Sequence, residues 1–556
     1  EQVTFFDEPV AGRFLPKTDS GTLLLEMSAG GDENYQIFLQ RFGKTALLSD
    51  GSSRHLLGPV SKDGSLFLYT ANRRNPRDSD VFLSSMHGPS RTVTLKEVTG
   101  ETWAPVDLSA DGKRVLLKQY VSINESYLEL LDIGSRKSTP IAAPAGSPEK
   151  VSFGSIAFSP DDKSIYVSCD ARGEILELAR VDFTSGDYTW LSENIKWDVE
   201  SIEVHDETGL VAFVTNEDGA SGLYLLDNDA PQPLAIPLGI IDNLEFSHDG
   251  TQLGFTLSRP NAPSDAFSVR LSDGKVTQWS FSEVGGLSPE QFVVPQRISF
   301  TTFDERKIPA YYFRPSSASA DRPAPVLINI HGGPESQYRP YFSPIDQYLV
   351  NEMGVAVLRP NVRGSRGYGK TYLQLDNGPL RENSVRDIGA LLDWIAEQPE
   401  LDADRVAVYG GSYGGYMVLA SLTHFPERIR AGIDIVGIAS FTTFLQNTSD
   451  YRRDLRRAEY GDERDPEMQR VFERINPTSN VHKIRSALFV AHGKNDPRVP
   501  FSEAEQIAPA VRKNGVEVWT VYADNEGHGF GKRDNRDYLT AAEMLFLRQH
   551  LLETKQ

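Results

Sequence analysis

The sequence predicts two domains, a β-propeller of six to seven blades in residues 1–288 and an α/β domain in residues 289–556. The first half repeats an apolar segment, a Ser/Asp/Gly turn and two short apolar strands. The period is about 43–50 residues, the length of a four-stranded propeller blade. From about residue 290, strands alternate instead with helical stretches, which is typical of a mostly parallel sheet.

The repeat is easiest to see at its turns, because Asp-Gly favours the positive φ that a hairpin needs. Six copies occur: Ser20-Gly21, Lys62-Asp63-Gly64, Ala110-Asp111-Gly112, Pro160-Asp161-Asp162, Asp206–Gly209 and His248-Asp249-Gly250. Val3–Phe6 is interpreted as a strand that either closes the ring onto the last blade or remains from a seventh blade. Two stacked β-sandwiches are the alternative, although sandwiches rarely keep so regular a period.

The second half opens with a predicted hairpin about Asp304-Glu305 and continues with alternating strands and helices. Apolar runs of strand length are typical of buried strands, and an apolar stripe repeating every three to four residues is typical of a surface helix. The predicted strands are Val326–Ile330, Val355–Leu358, Val406–Tyr409, Ala487–Ala491 and Val516–Tyr522. The predicted helices are Pro344–Glu352, Ser384–Gln398, Gly414–Leu422, Ser502–Lys513 and Arg536–Leu551.

Composition excludes several function classes. The 556 residues include 57 Lys+Arg and 77 Asp+Glu, a net charge of −20, and such an acidic surface repels nucleic acid. No run of about 18 apolar residues predicts a membrane span. Cys169 is the single cysteine, so no intrachain disulfide forms. No metal-binding spacing is present, and neither a metal nor a cofactor is expected.

Gly410-Gly411-Ser412-Tyr413-Gly414 contains the pattern G-x-S-x-G between a predicted strand and a predicted helix. The string is weak by itself, but its context places Ser412 on a sharp strand-to-helix turn, where flanking glycines avoid clashes. The hydroxyl then projects from the carboxyl edge of the sheet. This context predicts an α/β-hydrolase domain with Ser412 as its nucleophile.

A serine nucleophile needs a base, and the base needs an orienting acid, in the chain order Ser, Asp/Glu, His in this fold. Asp496 follows one predicted strand, and His528 follows the next, between two glycines. His492 competes as the base but precedes the acid, so a structural role within its loop is expected. Asp524 and Glu526 compete as the acid but lie too close to His528 in sequence to hold its Nδ1 easily.

Acyl transfer also needs donors for the developing oxyanion. The predicted strand Val326–Ile330 enters the Gly-rich loop His331-Gly332-Gly333-Pro334, the expected place for a backbone donor. The N–H groups of Gly333 and Tyr413 are the predicted pair. Alternatively, these glycines are present only because the turn requires positive φ angles, and the loop has no role in binding the oxyanion.

Gly364-Ser365-Arg366-Gly367-Tyr368-Gly369-Lys370-Thr371 matches the phosphate-binding pattern GxxxxGK[ST] in full. The preceding strand ends several residues early, and no strong apolar helix follows Thr371. We therefore interpret the segment as a glycine-rich loop beside the active site and expect no nucleotide.

Two arginine features remain. The basic run Arg452–Arg457 is followed by acidic residues and is interpreted as a solvated helix with internal ion pairs. Arg498 lies two residues after Asp496 and is a candidate for binding a substrate carbonyl or carboxylate. Structural pairing explains Arg498 equally well.

Together these strings resemble the prolyl oligopeptidase family of serine peptidases (family S9), particularly its acylaminoacyl-peptidase-like branch. The matching strings are His331–Pro334, Asn361–Ser365 with Gly367–Gly369, Gly410–Tyr416, Gly493–Asp496 and Glu526–Phe530. The resemblance covers nearly the whole chain and implies Ser412 as nucleophile, Asp496 as orienting acid and His528 as base. In other branches a tyrosine hydroxyl helps to form the oxyanion hole; His331 starts the corresponding loop here, which favours the backbone of Gly333.

The expected function is therefore that of a serine peptidase hydrolysing short peptides, with the propeller covering the active site. A carboxylesterase with the same triad is the alternative, and a propeller binding protein with an inert hydrolase domain is a third hypothesis. The chain has no Glu-Glu dipeptide, the pair with which dipeptidyl aminopeptidases of this family hold the substrate amine. Relatives imply an export signal and a further N-terminal blade, so export is favoured, while compartment and homo-oligomer formation stay open.

Overall fold

The computed structural model describes residues 4–16, 21–86 and 92–553. Its first half is a six-bladed β-propeller, and each blade is a four-stranded antiparallel sheet of consecutive strands. Blades one to three contain β1 to β12: Val10–Phe14, Leu23–Met27, Gln36–Arg41, Lys44–Leu47; His55–Val60, Leu66–Ala71, Asp80–Ser85, Val93–Lys96; Trp103–Leu108, Arg114–Ser122, Glu125–Asp132 and Lys137–Ile141. Blades four to six contain β13 to β24: Phe153–Phe158, Ser164–Cys169, Glu177–Asp182, Tyr188–Trp190; Asp198–Val204, Val211–Glu217, Ala220–Asp227, Ala230–Leu234; Ile240–Phe246, Gln252–Arg259, Ala262–Arg270 and Val276–Gln278.

The repeated turn has the chemistry that its sequence predicts. In the second blade, Asp63 Oδ1 accepts the backbone N–H of Ser65 at 3.0 Å, and Gly64 has a φ of 70°. In the fourth blade Asp162 takes the left-handed position with a φ of 56°, which Asp tolerates better than most residues. In the first copy, Ser20 lies outside the described residues.

One apolar cluster joins each blade to the next one along the chain, so five clusters connect the six blades. Within the described ranges, no such cluster joins the sixth blade to the first. The strand prediction for Val3–Phe6 is wrong for residues 4–6, which are irregular, and Val3 lies outside those ranges. The Phe5 side chain of this segment is exposed.

The second domain contains an eight-stranded sheet in the order β25-β26-β28-β27-β29-β30-β31-β32. The sheet is parallel from β28 to β32, while β25 and β26 form an antiparallel hairpin at one edge. The strands are Gln296–Thr301, Lys307–Phe313, Ala324–Ile330, Ala356–Pro360, Leu401–Gly411, Ala431–Ile435, Ala487–Gly493 and Val518–Ala523. The predicted boundary at residues 288 and 289 falls between the last propeller strand and the first strand of this sheet.

Helices cover both faces of the sheet. They are α1 Pro344–Asn351, α2 Lys370–Gln374, α3 Glu382–Ala396, α4 Tyr413–His424, α5 Phe441–Asn447, α6 Asp450–Tyr460, α7 Pro466–Ile475, α8 Ser502–Arg512 and α9 Arg533–Leu547. The α3, α4, α7 and α8 helices share one large apolar cluster with the sheet, and α1 and α9 share a second cluster on the opposite face. This arrangement confirms the predicted α/β-hydrolase class and leaves the carboxyl edge of the parallel strands for the loops.

The sequence prediction missed β30, α5, α7 and the five-residue α2. The β30 segment Ala431–Ile435 carries a Gly and an Asp, which are depleted in strands, yet all five of its residues are buried. Pairing with β29 on one side and β31 on the other decides its conformation. Tertiary context therefore overrides a weak local preference.

Glu543 on α9 is a buried carboxyl group beneath the sheet, and the hydroxyl of Tyr409 lies 3.4 Å from its Oε1. Burial raises the pKa of Glu543 to about 8. The folded protein therefore keeps a proton that the unfolded chain releases above about pH 4.3. The free energy of unfolding consequently falls as pH rises from that value through about 8.

Glu543→Gln stays neutral, so we expect it to remove this loss. As pH rises from 5 to 8, the thermal unfolding midpoint of the variant should increase relative to that of the wild type. Thermal unfolding over that range measures the effect, which is on the order of a few kcal/mol. Asp537→Asn on an exposed position of the same helix is the control and keeps the wild-type slope. Parallel pH profiles for the Glu543 variant and the wild type would contradict this account.

Candidate active site

Ser412 lies on the turn between β29 and α4 in a strained backbone conformation. Its φ is 60° and its ψ is −120°, a region that residues with a side chain rarely adopt. The Ser412 N–H donates to the carbonyl oxygen of Ile435 at 2.8 Å, which holds the turn against β30. The strain and the position at a strand-to-helix junction are those of a nucleophile elbow.

The flanking glycines are required by close packing. A Cβ atom on Gly410 would lie 2.3 Å from the carbonyl oxygen of Gly414, and one on Gly414 would lie 2.2 Å from that of Ile330. A Cβ atom on Gly415 would lie 2.3 Å from Oδ1 of Asp434. Side chains at these positions would push the helix away from the sheet and displace the serine.

Asp496 and His528 are in contact at the carboxyl ends of β31 and β32. Nδ1 of His528 lies 2.8 Å from Oδ2 of Asp496 and carries the proton, because the ionised carboxylate only accepts. The other oxygen accepts the N–H groups of Arg498 at 2.8 Å and Val499 at 3.0 Å. Burial opposes ionisation of Asp496, but the charge and hydrogen bonds of His528 and His492 hold its pKa well below the usual range.

His492 has the structural position expected for it. Its Nε2 lies 2.9 Å from the carbonyl oxygen of Val499 and 3.4 Å from Oδ2 of Asp496, and the ring is fully buried. Burial opposes its charged form, yet the neighbouring Asp496 carboxylate raises its pKa. His492 therefore stabilises the loop that carries Asp496.

The competing acids do not contact His528. Asp524 pairs with Lys494 at 2.6 Å. Glu526 is buried and accepts the backbone N–H groups of Gly531 at 3.1 Å and Lys532 at 2.9 Å, which shapes the loop that carries the histidine.

Ser412 shares the carboxyl edge of the sheet with the Asp496–His528 pair, with β30 between their strands. Within the described residues, the Ser412 hydroxyl makes no hydrogen bond, and neither does Nε2 of His528. The acid–base contact is thus formed, while the base–nucleophile contact is not. Such catalytic hydrogen bonds often tighten only when substrate is bound.

The loop with the predicted oxyanion donor packs directly against the serine. A Cβ atom on Gly332 would lie 3.4 Å from Cβ of Ser412, and Gly333 has a φ of 118°. The Gly333 carbonyl oxygen accepts from the Tyr460 hydroxyl at 3.1 Å and from Arg456 Nη1 at 3.4 Å. These two contacts from α6 fix the loop beside the serine and were not predicted from the sequence.

The second predicted donor, Tyr413, is the first residue of α4, so its N–H has no acceptor inside the helix. Its buried side chain is anchored by Ser384 Oγ at 2.7 Å and Asp376 Oδ2 at 3.0 Å. His331 does not replace the hydroxyl donor of other branches, because its Nε2 contacts Ser365 Oγ at 2.8 Å and its Nδ1 donates to the Gly332 carbonyl oxygen at 2.8 Å. Burial lowers the pKa of His331 to about 4, so the ring is neutral.

Arg498, the candidate for binding substrate, is engaged with the propeller. Its guanidinium pairs with Glu33, which is itself buried and accepts from the Tyr451 hydroxyl at 3.1 Å. Arg498 therefore links the acid loop to the first blade, as its alternative structural interpretation expected. Sequence motifs gave no signal for Glu33.

The propeller segment Gly30–Glu33 touches both catalytic loops. The Asn495 amide donates to the carbonyl oxygen of Gly30 at 3.0 Å, one residue from Asp496. A Cβ atom on Gly31 would lie 2.3 Å from the backbone nitrogen of Gly527, one residue from His528. We call residues 30–33 the propeller clamp.

A cavity of about 720 Å³ lies between the propeller and the hydrolase domain. Carboxylates of the fourth and fifth blades face it, and burial raises the pKa of Asp198 to about 6 and that of Glu203 to about 8. The phosphate-loop lookalike borders this cavity, where Lys370 pairs with Asp170 of the propeller at 3.0 Å and Thr371 donates to Glu174 at 2.7 Å. Its lysine thus serves an interdomain contact.

The interpretation of Arg452–Arg457 as a solvated helix is correct only for its outer face. Arg457 pairs with Asp454 at 2.9 Å, but Arg456 and Tyr460 point inward to the oxyanion loop. The arginines lie on both the outer and the inner face of the helix. A count of net charge does not show which face each arginine occupies.

Other candidate sites are limited. Across residues 4–16, 21–86 and 92–553, no group of three His, Cys, Asp or Glu side chains is arranged to hold a metal ion. No helix in those ranges is long and apolar enough to cross a bilayer.

Comparison with known proteins finds similar sequences and a similar fold. The model of the prolyl oligopeptidase family matches residues 340–554. The chain is 26% identical to dipeptidyl aminopeptidase BIII of Pseudoxanthomonas mexicana over 95% of its own length and 78% of that protein. It is 28% identical to dipeptidyl peptidase family member 6 of Caenorhabditis elegans over 58% of its length and only 46% of that protein. A solved chain from a study of two prolyl endopeptidases has the same fold, with a TM-score of 0.86 at 19% identity over 98% of this chain and 82% of that one.

The propeller clamp predicts a specific effect of Gly31→Ala. Gly31 and Gly43 have nearly equal φ angles of 76° and 72°, but a Cβ atom on Gly43 would meet nothing within 4 Å. Both substitutions carry a backbone penalty of about 1–2 kcal/mol, and only Gly31→Ala also displaces the backbone beside His528. We expect Gly31→Ala to slow labelling of Ser412 by a fluorophosphonate at least several-fold more than Gly43→Ala, at similar loss of thermal midpoint. Equal labelling rates would show that the clamp does not set the position of the histidine loop.

Proposed function

We propose that this chain is a serine peptidase of the prolyl oligopeptidase family, whose model matches residues 340–554, and that it hydrolyses short peptides through an acyl-enzyme on Ser412. The observation that carries this proposal is the 2.8 Å contact between His528 Nδ1 and Asp496 Oδ2, at the same sheet edge as Ser412. Acid, base and nucleophile follow the chain order of the α/β-hydrolase fold.

In the proposed reaction, His528 accepts the Ser412 hydroxyl proton as Oγ attacks the carbonyl carbon of the scissile peptide bond. Asp496 holds the imidazole in the tautomer that leaves Nε2 free and stabilises the imidazolium. The N–H groups of Gly333 and Tyr413 stabilise the oxyanion. His528 then gives the proton to the leaving amine. In the second half of the reaction, water attacks the acyl-enzyme while His528 accepts a proton from it, and His528 returns that proton to Ser412 Oγ as the acid product leaves.

The interdomain cavity is large enough for a short peptide, and its lining consists mainly of propeller residues and the loop around Gly367 rather than Ser412, Asp496 or His528. Its volume of about 720 Å³ accommodates a few residues, and the propeller covers it on one side. Folded proteins would be excluded by size.

An acylaminoacyl-peptidase or oligopeptidase type of action is proposed over removal of dipeptides. The relatives named above are dipeptidyl peptidases, but this chain has no Glu-Glu dipeptide to hold a free amine. Turnover of acyl-blocked peptides in preference to free-amine peptides is the expected result of a substrate scan, and the opposite preference would favour dipeptide removal.

We expect Ser412→Ala to abolish labelling by a fluorophosphonate and to reduce kcat/KM on peptides by at least about 10³-fold, because the nucleophile is removed. Asp496→Asn should reduce kcat by about 10⁴-fold, because the amide favours the wrong imidazole tautomer. Asp524→Asn is the matched control, because it removes a nearby carboxylate that pairs with Lys494 instead of His528. We expect little change in its kcat. Full labelling of Ser412→Ala would refute the assignment of the nucleophile.

Parallel assays on peptide anilides and aryl esters separate the peptidase from a carboxylesterase with the same triad. We expect turnover of both classes, since an enzyme that stabilises the amide transition state also cleaves the weaker ester. Ester turnover without amide turnover would establish the esterase instead. A wild-type protein that never labels and cleaves neither substrate would be a binding protein with an inert hydrolase domain.

A further inference from the structure

Arg452 carries a positive charge that the protein itself does not neutralise. Its side chain is half-buried on α6, and within the described residues it makes no hydrogen bond and no ion pair. The aromatic ring of Tyr451 lies 6.0 Å from its guanidinium carbon, at the outer limit of a cation–π contact. A desolvated guanidinium without a partner is costly, which makes an external anion the natural partner.

The position of α6 brings Arg452 to the active-site cleft. The helix starts at the acid loop, where the N–H of Ser449 donates to the carbonyl oxygen of Pro497 at 3.1 Å. One turn after Arg452, Arg456 contacts the carbonyl oxygen of Gly333 at 3.4 Å. Residues four apart lie on the same helix face, so Arg452 lies between the acid loop and the oxyanion loop.

The neighbouring arginines already have carboxylate partners. Arg498 pairs with Glu33, and Arg456 pairs with Glu459 at 2.7 Å and lies 3.9 Å from Glu335. Among residues 4–16, 21–86 and 92–553, no carboxylate forms an ion pair with Arg452 within 4 Å.

The local electrostatics agree with this geometry. Burial lowers the pKa of Arg452, and repulsion from Arg456 and Arg498 lowers it further, against a smaller opposing effect of Tyr451 and Glu33. Arg452 therefore lies beside two other arginines, Arg456 and Arg498, whose own carboxylate partners do not pair with it.

We propose that Arg452 binds a carboxylate of the substrate beside the scissile bond and makes the enzyme selective for peptides that carry a carboxylate at that position. This inference rests on the proposed function and adds the substrate class. A guanidinium matches a carboxylate with two parallel N–H···O bonds, which gives geometric selectivity that a lysine lacks. The carboxylate comes either from an acidic side chain or from the carboxyl terminus of a short peptide, two sources with the same chemistry.

Kinetics on matched peptides test the proposal. The peptides share one sequence and differ only in Glu against Gln next to the cleaved bond, or in a free against an amidated carboxyl terminus. We expect the wild type to prefer one carboxylate form by about 10- to 100-fold in kcat/KM. Arg452→Gln should lose this preference and keep the activity on the neutral peptide within a few-fold, while Arg452→Lys should keep part of it.

Arg470→Gln is the matched control, because Arg470 is an exposed arginine on α7 of the same domain. It should keep the full preference. A wild type that cleaves peptides without preferring either carboxylate form would overturn the inference and leave the peptidase proposal intact. An unchanged preference in Arg452→Gln would overturn it equally.

A binding measurement keeps the inference testable if no peptide is cleaved. Calorimetry on Ser412→Ala compares acetyl-Ala-Glu-amide, acetyl-Ala-Gln and acetyl-Ala-Gln-amide, which carry a side-chain carboxylate, a terminal carboxylate and none. We expect one carboxylate ligand to bind at least about 10-fold more tightly than the neutral one, and Arg452→Gln added to Ser412→Ala to remove the difference. Equal affinities would refute the carboxylate site, whatever the outcome of the turnover assays.

Discussion

The site depends on one buried interaction, the hydrogen bond from Nδ1 of His528 to the carboxylate of Asp496. Asp496 is 8% exposed, so its charge persists only because three N–H groups satisfy it. The same contact fixes the proton on Nδ1 and leaves Nε2 available as an acceptor. Every other element of the site either holds this pair at the edge of the sheet or holds Ser412 beside it.

The propeller is part of that support as well as a cover. Its clamp touches the acid loop through Asn495 and the base loop through Gly527, while Glu33 neutralises Arg498. The first blade therefore contacts both loops that bear the proposed acid and base.

Charge is distributed unevenly across the domain interface. Carboxylates of the fourth and fifth blades face the cavity, where burial favours the protonated forms of Asp198 and Glu203. On the opposite side, α6 presents arginines toward the oxyanion loop. The two sides of the interface therefore differ in the sign of the charged groups that they present.

The sequence by itself determined the repeat of six blades, the α/β pattern after residue 290 and the triad candidates, because turn residues, periodicity and the glycines around Ser412 act locally. It could not determine β30, whose strand state comes from its neighbours on both sides, nor the irregular course of residues 4–6. Only the tertiary structure decided that Arg498 is paired with Glu33 while Arg452 is not, because the partners lie more than 400 residues away along the chain. Contacts between groups so far apart leave no local pattern, and whether a charge is neutralised depends on which groups the folded sheet and propeller bring within a few ångströms.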